Sequence, residues 1–335
     1  MRWYPWLRPA FEKLISGYRQ GKGHHALLVQ AQEGMGADAL IYALSRWLMC
    51  RQPEENKSCG HCHSCRLMQA GTHPDYRVIA PEKGKTSLGV DAVRDAMEKL
   101  YDRSRMGGAK VVWIPETERL TEAAANALLK TLEEPPEECW FFLSCREPER
   151  LLATLRSRCF CYHLAPPDET FSVVWLGREN GLSAELHRAA LRLCDGAPAA
   201  ALELLTSERW ELRQKLCAGV ELALQSGAWL PLLKILNQDN APEILRWLGS
   251  LLLDGIKWQH HAGRWIANVD YTALVAQIAQ SAAQPVLQTS LTKLFHCREQ
   301  LSAISGVNRE LLLFEMLLSW ENDRRPGRAL SLSHL

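Results

Sequence analysis

The sequence predicts an α/β protein: a parallel sheet of the phosphate-loop type in its first half, then helices almost to the end. Three observations carry that expectation. Short apolar runs rich in Val, Ile, Trp and Phe alternate with helical patterns up to about residue 165, a glycine turn joins the first run to a helix, and strand-like runs stop after residue 165. The 335 residues, 47% apolar and 23% charged, suffice for about two domains, or three if one is small, and exclude a globally disordered chain. Lys and Arg number 39 against 38 Asp and Glu. That balance excludes coating of nucleic acid or an anionic membrane by bulk charge and leaves room only for a local basic face. The opening MRWYPWLRPAFEKL breaks any continuous apolar signal segment, and no run of about 18 apolar residues follows, so the expected location is cytoplasmic.

The first strand is ALLVQ, residues 26–30. It enters AQEGMGADAL, where Gly34 and Gly36 stand between strand and helix in the layout of a phosphate-binding loop. A working loop needs a lysine for the terminal phosphates and a Ser or Thr hydroxyl for magnesium. Here the lysine position is Ala37, the hydroxyl position is Asp38 and the leading glycine is Ala31. An aspartate repels an anionic ligand. Two glycines alone do not separate a decayed nucleotide site from a coincidence.

Four cysteines follow within sixteen residues, Cys50, Cys59, Cys62 and Cys65, the last three in a CxxCxxC spacing. Two-residue gaps let neighbouring thiolates converge on one tetrahedral ion, and the polar loop lets Cys50 join them, which favours a closed, structural Zn2+ site that staples a small loop. A cluster of reduced thiols and a redox or iron–sulfur site are the alternatives. His61 and His63, inside the turns, could substitute for one cysteine. The other seven of the eleven cysteines are scattered through apolar or helical contexts and read as reduced thiols, not a disulfide framework.

YRVI (76–79) and KVVWI (110–114) are the next strands. The acidic pair that would hold a metal after KVVWI is altered, since Pro115 and Glu116 follow. LTEAAANALLKTLEEPPEE is a delimited helix: Thr121 caps it, Glu122 favours its positive end, Ala125, Leu128, Leu129 and Leu132 form its apolar stripe, and Pro135 and Pro136 stop it. WFFL (140–143) is the fourth strand. LAPPDET, with Pro166 and Pro167, marks a boundary. The expected division is 1–165 for the sheet domain, 166–207 for a small helical piece and 208–335 for a larger helical domain, whose Leu and Trp stripes read as bundle core. The tail ENDRRPGRALSLSHL is expected to be loosely ordered.

Several blocks together resemble the clamp-loader branch of the AAA+ ATPases over most of the chain: HALLVQ with its glycine loop, the cysteine cluster, THPDYRVI, GVDAVRDAMEKL, GGAKVVWI, LTEAAANALLKTLEEPPEECWFFLSCREPERLLATLRSRC and GVNRELLLFEMLL. The resemblance implies an AAA+ domain with a zinc-binding insertion, a small helical lid, and an all-α collar domain that joins a ring of five subunits. It implies a place in the clamp loader of the DNA polymerase III holoenzyme, with gamma/tau and delta subunits as partners, and with the sliding clamp and primed DNA within the complex. The family's zinc ligands fall on Cys50, Cys59, Cys62 and Cys65, and its Ser-Arg-Cys motif on Ser157, Arg158 and Cys159. That motif's arginine works in trans on ATP held by the neighbouring subunit, where an arginine fork neutralises charge on the transferring phosphoryl group, worth about a thousandfold or more in rate in related systems.

Outside the motif, Arg158 reads as a salt-bridged surface arginine at a strand end. Arg146, Arg150 and Arg156 lie nearby and could anchor structure or a DNA phosphate. The lid's sensor arginine, expected in GAPAAALELL, falls on Ala199, and the polar sensor near the end of WFFL falls among Ser144, Cys145 and Arg146. Four parts of the ATP machinery are altered together. The resemblance therefore implies a stator that neither binds nor hydrolyses ATP, supports loading of the clamp, and donates Arg158. Two other readings stay open: a divergent ATPase of the gamma/tau type, and a stand-alone zinc-containing nucleic-acid binder that sets Lys57, His61, His63 and Arg66 against Glu54 and Glu55. No acidic pair suited to nucleotidyl transfer is evident, which credits polymerase activity to the holoenzyme.

Overall fold

The computed structural model describes residues 1–81, 84–303 and 306–324, and the chain divides into two compact units, Met1–Pro167 and Asp168–Leu335. In the first unit the elements run α1 (Arg8–Arg19), β1 (Ala26–Gln30), α2 (Ala37–Leu48), α3 (His63–Ala70), β2 (Tyr76–Val78), α4 (Val90–Glu98), β3 (Lys110–Ile114), α5 (Glu122–Glu133), β4 (Cys139–Cys145), α6 (Ala153–Arg156) and β5 (Phe160–His163). Among the described residues the sheet has the order β2-β3-β4-β1-β5, and every pair is parallel.

Parallel strands need crossovers, and the helices that supply them cover both faces. Because side chains alternate along a strand, Ala26, Leu28, Val112, Ile114, Phe141 and Leu143 turn to one face, where they are buried with Val93 and Met97 of α4 and Leu128 and Leu132 of α5. Their neighbours Leu27, Val29, Val111 and Phe142 are buried on the other face, and α2 lies against β4 there. Helix α5 starts and stops as its sequence predicts: the Thr121 hydroxyl accepts the Ala124 N–H at 3.2 Å, and the helix ends before Pro135.

The apolar runs do not predict β5. FCYH is short, largely exposed and at the sheet's edge, so burial writes no periodic signature into it.

The second unit is helical throughout its described residues: α7 (Glu169–Asn180), α8 (Ala184–Leu193), α9 (Pro198–Thr206), α10 (Glu208–Ser226), α11 (Leu233–Leu236), α12 (Ala241–Gln259), α13 (Thr272–Ser281), α14 (Gln284–Ala303) and α15 (Arg309–Arg324). Helices α7, α8 and α9 pack on one another, while α12 packs on α13 and α14. The Trp stripes of the sequence do form core: Trp229, Trp247 and Trp320 are fully buried, and Trp229 meets Trp320 edge-on with centroids 5.4 Å apart. Two buried charges in this unit are paired, whereas the largely buried guanidinium of Arg324 lies over the rings of Trp229 and Trp320 with no hydrogen-bond partner among the described residues. Arg213 bridges Asp270 at 2.7 Å and lies over the rings of Trp210 and Tyr271, and Asp254 accepts the backbone N–H groups of Ala267 and Asn268. Helix α15 continues through Glu321–Arg324, which corrects the expected loose tail at its start; the remainder, 325–335, lies outside the described residues.

Candidate functional site

Strands β1 and β4 pair so that Val29 faces Ser144 and Gln30 faces Cys145, and the Ala31 N–H donates to the Cys145 carbonyl at 3.0 Å. The carboxyl ends of β1, β3 and β4 therefore meet at a cleft of about 260 Å³, the usual ligand position of an open parallel sheet. Most of the 31–38 loop lines it, with Trp113, Pro115, Glu116, Glu118, Ser144, Cys145 and Arg146. The altered positions singled out in the first unit's sequence thus face one another across this cleft. Ala199, in α9, belongs to the second unit.

The two glycines serve the turn. Gly34 and Gly36 have φ of +78° and +82°, in the left-handed region that a Cβ disfavours. At Gly36 an added Cβ would stand 2.7 Å from Tyr4 Cδ2. Met35 between them is fully buried, and its carbonyl accepts the Trp6 indole N–H at 2.9 Å. The N-terminal aromatic segment props the loop from behind.

The cleft is predominantly acidic. Glu33, Asp38, Glu116 and Glu118 line it, and the basic group among them is Arg146. That guanidinium is already engaged: NH1 donates to Glu33 Oε2 at 2.8 Å and NH2 lies 3.6 Å from Glu116 Oε1, while the Arg146 backbone N–H donates to Glu118 Oε1 at 3.1 Å. Glu116 itself sits at φ +49°, a strained setting for a side-chain-bearing residue.

A second constellation is the cysteine cluster. The Sγ atoms of Cys50, Cys59, Cys62 and Cys65 all lie within 4.8 Å of one another. Cys50 to Cys59 is 3.5 Å and Cys59 to Cys65 is 4.0 Å. A tetrahedron with metal–sulfur bonds of about 2.3 Å has sulfur–sulfur edges of about 3.8 Å, so the four thiols fit a metal ion of that size.

Backbone N–H groups already point at the sulfurs: Cys59 N at Cys50 Sγ (3.3 Å), Cys62 N at Cys59 Sγ (3.4 Å) and Cys65 N at Cys62 Sγ (3.4 Å). Burial pushes the Cys62 thiol up, but N–H donors from Arg51 and Cys65 outweigh it and bring the thiol down to about 6. Burial pushes Cys65 up to about 12.

Around the cluster, the Ser64 hydroxyl donates to the Met49 carbonyl at 2.7 Å and pairs with His73 Nε2 at 2.9 Å, tying the start of α3 to the end of α2. Asp75 accepts from Ser104 and from the backbone N–H groups of Arg105 and Met106, bonds that outweigh its desolvation and hold its carboxyl below the usual range. His61 turns to the Cys59 carbonyl at 2.9 Å, and neither His61 nor His63 joins the ligand group.

The Ser-Arg-Cys stretch forms the turn between α6 and β5. Ser157 is exposed and its hydroxyl donates to the Thr154 carbonyl at 3.0 Å. Cys159 packs against the sheet's core, where burial pushes its thiol up to about 12, so it anchors the turn. Between them the Arg158 side chain keeps 30% exposure. Its Nε donates to Glu133 Oε1 at 2.6 Å, its NH2 donates to the same oxygen, and its NH1 donates to the Thr154 carbonyl at 2.7 Å. Arg150 pairs with Glu147 at 2.5 Å, and the buried Nε of Arg156 has no partner among the described residues. Sequence reasoning missed both carboxylates that matter here, Glu33 against Arg146 and Glu133 against Arg158. The partners lie 113 and 25 positions apart, and no periodicity connects them.

Three family models match in succession: residues 7–168 match the model described as DNA polymerase III, delta subunit; residues 167–206 match DNA polymerase III subunit delta', AAA+ ATPase lid domain; and residues 207–322 match DNA polymerase III, delta subunit, C terminal. The chain is 56% identical over its full length, and over the full length of the relative, to DNA polymerase III subunit delta' of Escherichia coli. It is 54% identical, again with both chains fully covered, to the subunit of the same name from Yersinia pestis. It is also similar to the tau/gamma subunit of Haemophilus influenzae, at 32% identity over 47% of this chain and 22% of that one.

Proposed function

The chain belongs to the delta-prime family of DNA polymerase III clamp-loader subunits, and from that premise we propose that it is the complex's non-hydrolysing stator. It holds no ATP of its own and lends Arg158 to the ATP of a neighbouring gamma/tau subunit. The observation that carries this reading is the lining of the loop cleft: four carboxylates, no lysine, and a single guanidinium, Arg146, paired with Glu33 and Glu116. A triphosphate with magnesium needs the opposite field. Arg158, in contrast, stands on a turn at the sheet's edge, anchored through Cys159 and partly open to solvent.

The remaining assignments follow from the same premise. Residues 1–165 form the AAA+ domain, 166–207 the lid and 208–335 the collar piece of a five-membered ring that includes gamma/tau and delta and works on the clamp and primed DNA. Cys50, Cys59, Cys62 and Cys65 hold a structural Zn2+. Four thiolates leave no open coordination position, so the ion's contribution is to fold the loop. A stand-alone nucleic-acid finger fits less well, because Glu54 and Glu55 stand against Lys57, His61, His63 and Arg66 in that loop and the chain's charge is nearly balanced.

The test is the Arg158→Ala chain reconstituted with its partner subunits. Assembly is expected to be unchanged, while turnover at the nucleotide site facing this chain falls by about a thousandfold and clamp loading falls with it. Wild-type DNA-stimulated turnover would sink the trans-acting role. Micromolar binding of magnesium-ATP to the isolated chain, read by calorimetry, would instead revive the divergent-ATPase reading.

A further inference from the structure

We infer that Glu133 is a positioning residue for Arg158: it pre-orients the guanidinium for a phosphate held by the neighbouring subunit. The inference rests on the reading of Arg158 as a trans-acting arginine. Glu133 is the last residue of α5, and its Oε1 takes both the Nε and the NH2 of Arg158. The Thr154 carbonyl, in α6, takes NH1. Two elements therefore fix the plane of the guanidinium. Five N–H groups are available on an arginine, and these bonds use three. The hydrogens left over are one on NH1 and one on NH2, the pair of nitrogens that can fork onto a phosphate from the end of the side chain.

An unsupported arginine would be a poor finger. Its long side chain samples many rotamers, and ordering it at the moment of catalysis opposes the rate. Glu133 imposes that order in advance. A carboxylate at the C-terminal end of α5 is otherwise badly placed, because helix carbonyls already make that end negative. The Arg158 contact offsets this, so the local charges favour keeping the pair intact. Since both side chains remain partly exposed, at 30% and 49%, the pair is an aligning contact and not a strong lock.

The test uses the complex reconstituted with its ATPase subunits, reading kcat and KM for ATP under DNA stimulation. Glu133→Ala is expected to lower kcat by about fivefold, the upper range for a partly exposed pair, with KM for ATP and assembly unchanged. Glu133→Gln, which retains an oxygen for Nε and NH2, is expected to restore kcat to within about twofold of wild type. In the double variant with Arg158→Ala, removing Glu133 is expected to cost nothing further. If Arg158→Ala lowers kcat but Glu133→Ala leaves it unchanged or raises it, the positioning role is overturned and the trans arginine stands. The role is equally overturned if Glu133→Gln is as defective as Glu133→Ala, or if the Glu133→Ala loss persists in the Arg158→Ala background. Full activity of Arg158→Ala overturns the underlying reading itself.

Discussion

Gly36 carries two constraints in one residue, a left-handed backbone and an aromatic ring pressed against the place where a side chain would begin. A Gly36→Ala substitution therefore strains the backbone and displaces Tyr4, with an expected loss of about 2–4 kcal/mol of stability. Denaturant unfolding of the two chains measures it, and a loss below about 1 kcal/mol would mean that the loop relaxes into another turn. On the proposed reading the two glycines are kept for the turn, whose left-handed backbone needs them, while Ala37 and Asp38 open helix α2 without the lysine and hydroxyl that a phosphate site uses. Arg146 shows the limit of reading residues singly. In the sequence it is one of several nearby arginines; in the fold it lines the cleft and pairs with Glu33 from the loop and Glu116 from just after β3.

Among the elements, those with local signals were legible. Thr121 caps α5, the proline pair ends it, β1, β3 and β4 announce themselves by buried apolar runs, the edge strand β2 shows in YRVI although it is only partly buried, and the CxxCxxC spacing brings its sulfurs together. What was not legible depends on neighbours distant in sequence: β5, whose exposed edge leaves no pattern, and the Arg158–Glu133 contact between a helix end and a turn.

The cysteine loop between α2 and α3 contains little beyond turns and one bridge between Glu54 and Lys57, so its order is expected to depend on the metal. Purified protein should carry about one equivalent of zinc. Chelation should expose the loop to proteolysis and release the ion more readily as pH falls, since acid protonates the thiolate ligands. Protease resistance that survives complete removal of the metal would contradict this.

At the scale of the whole molecule there are two units: a sheet unit with a cleft lined by four carboxylates, and a helical unit whose core holds the buried tryptophans and the Arg213–Asp270 pair. If the cleft takes no nucleotide, the melting temperature of the isolated chain should move by less than about 1 °C with millimolar magnesium-ATP. A ligand present at a hundred times its dissociation constant would add about 2.7 kcal/mol to the folded state and raise Tm by several degrees. The indole of Trp6, donating to the carbonyl between the two glycines, gives that insensitivity a wider meaning. Ligands can couple distant sites by ordering what was loose, because the entropy lost at one site is not lost again at the next. A loop fastened from behind has less of that freedom to lose, so in the proposed ring of ATP-cycling subunits this one is expected to pass no nucleotide-dependent signal between its neighbours.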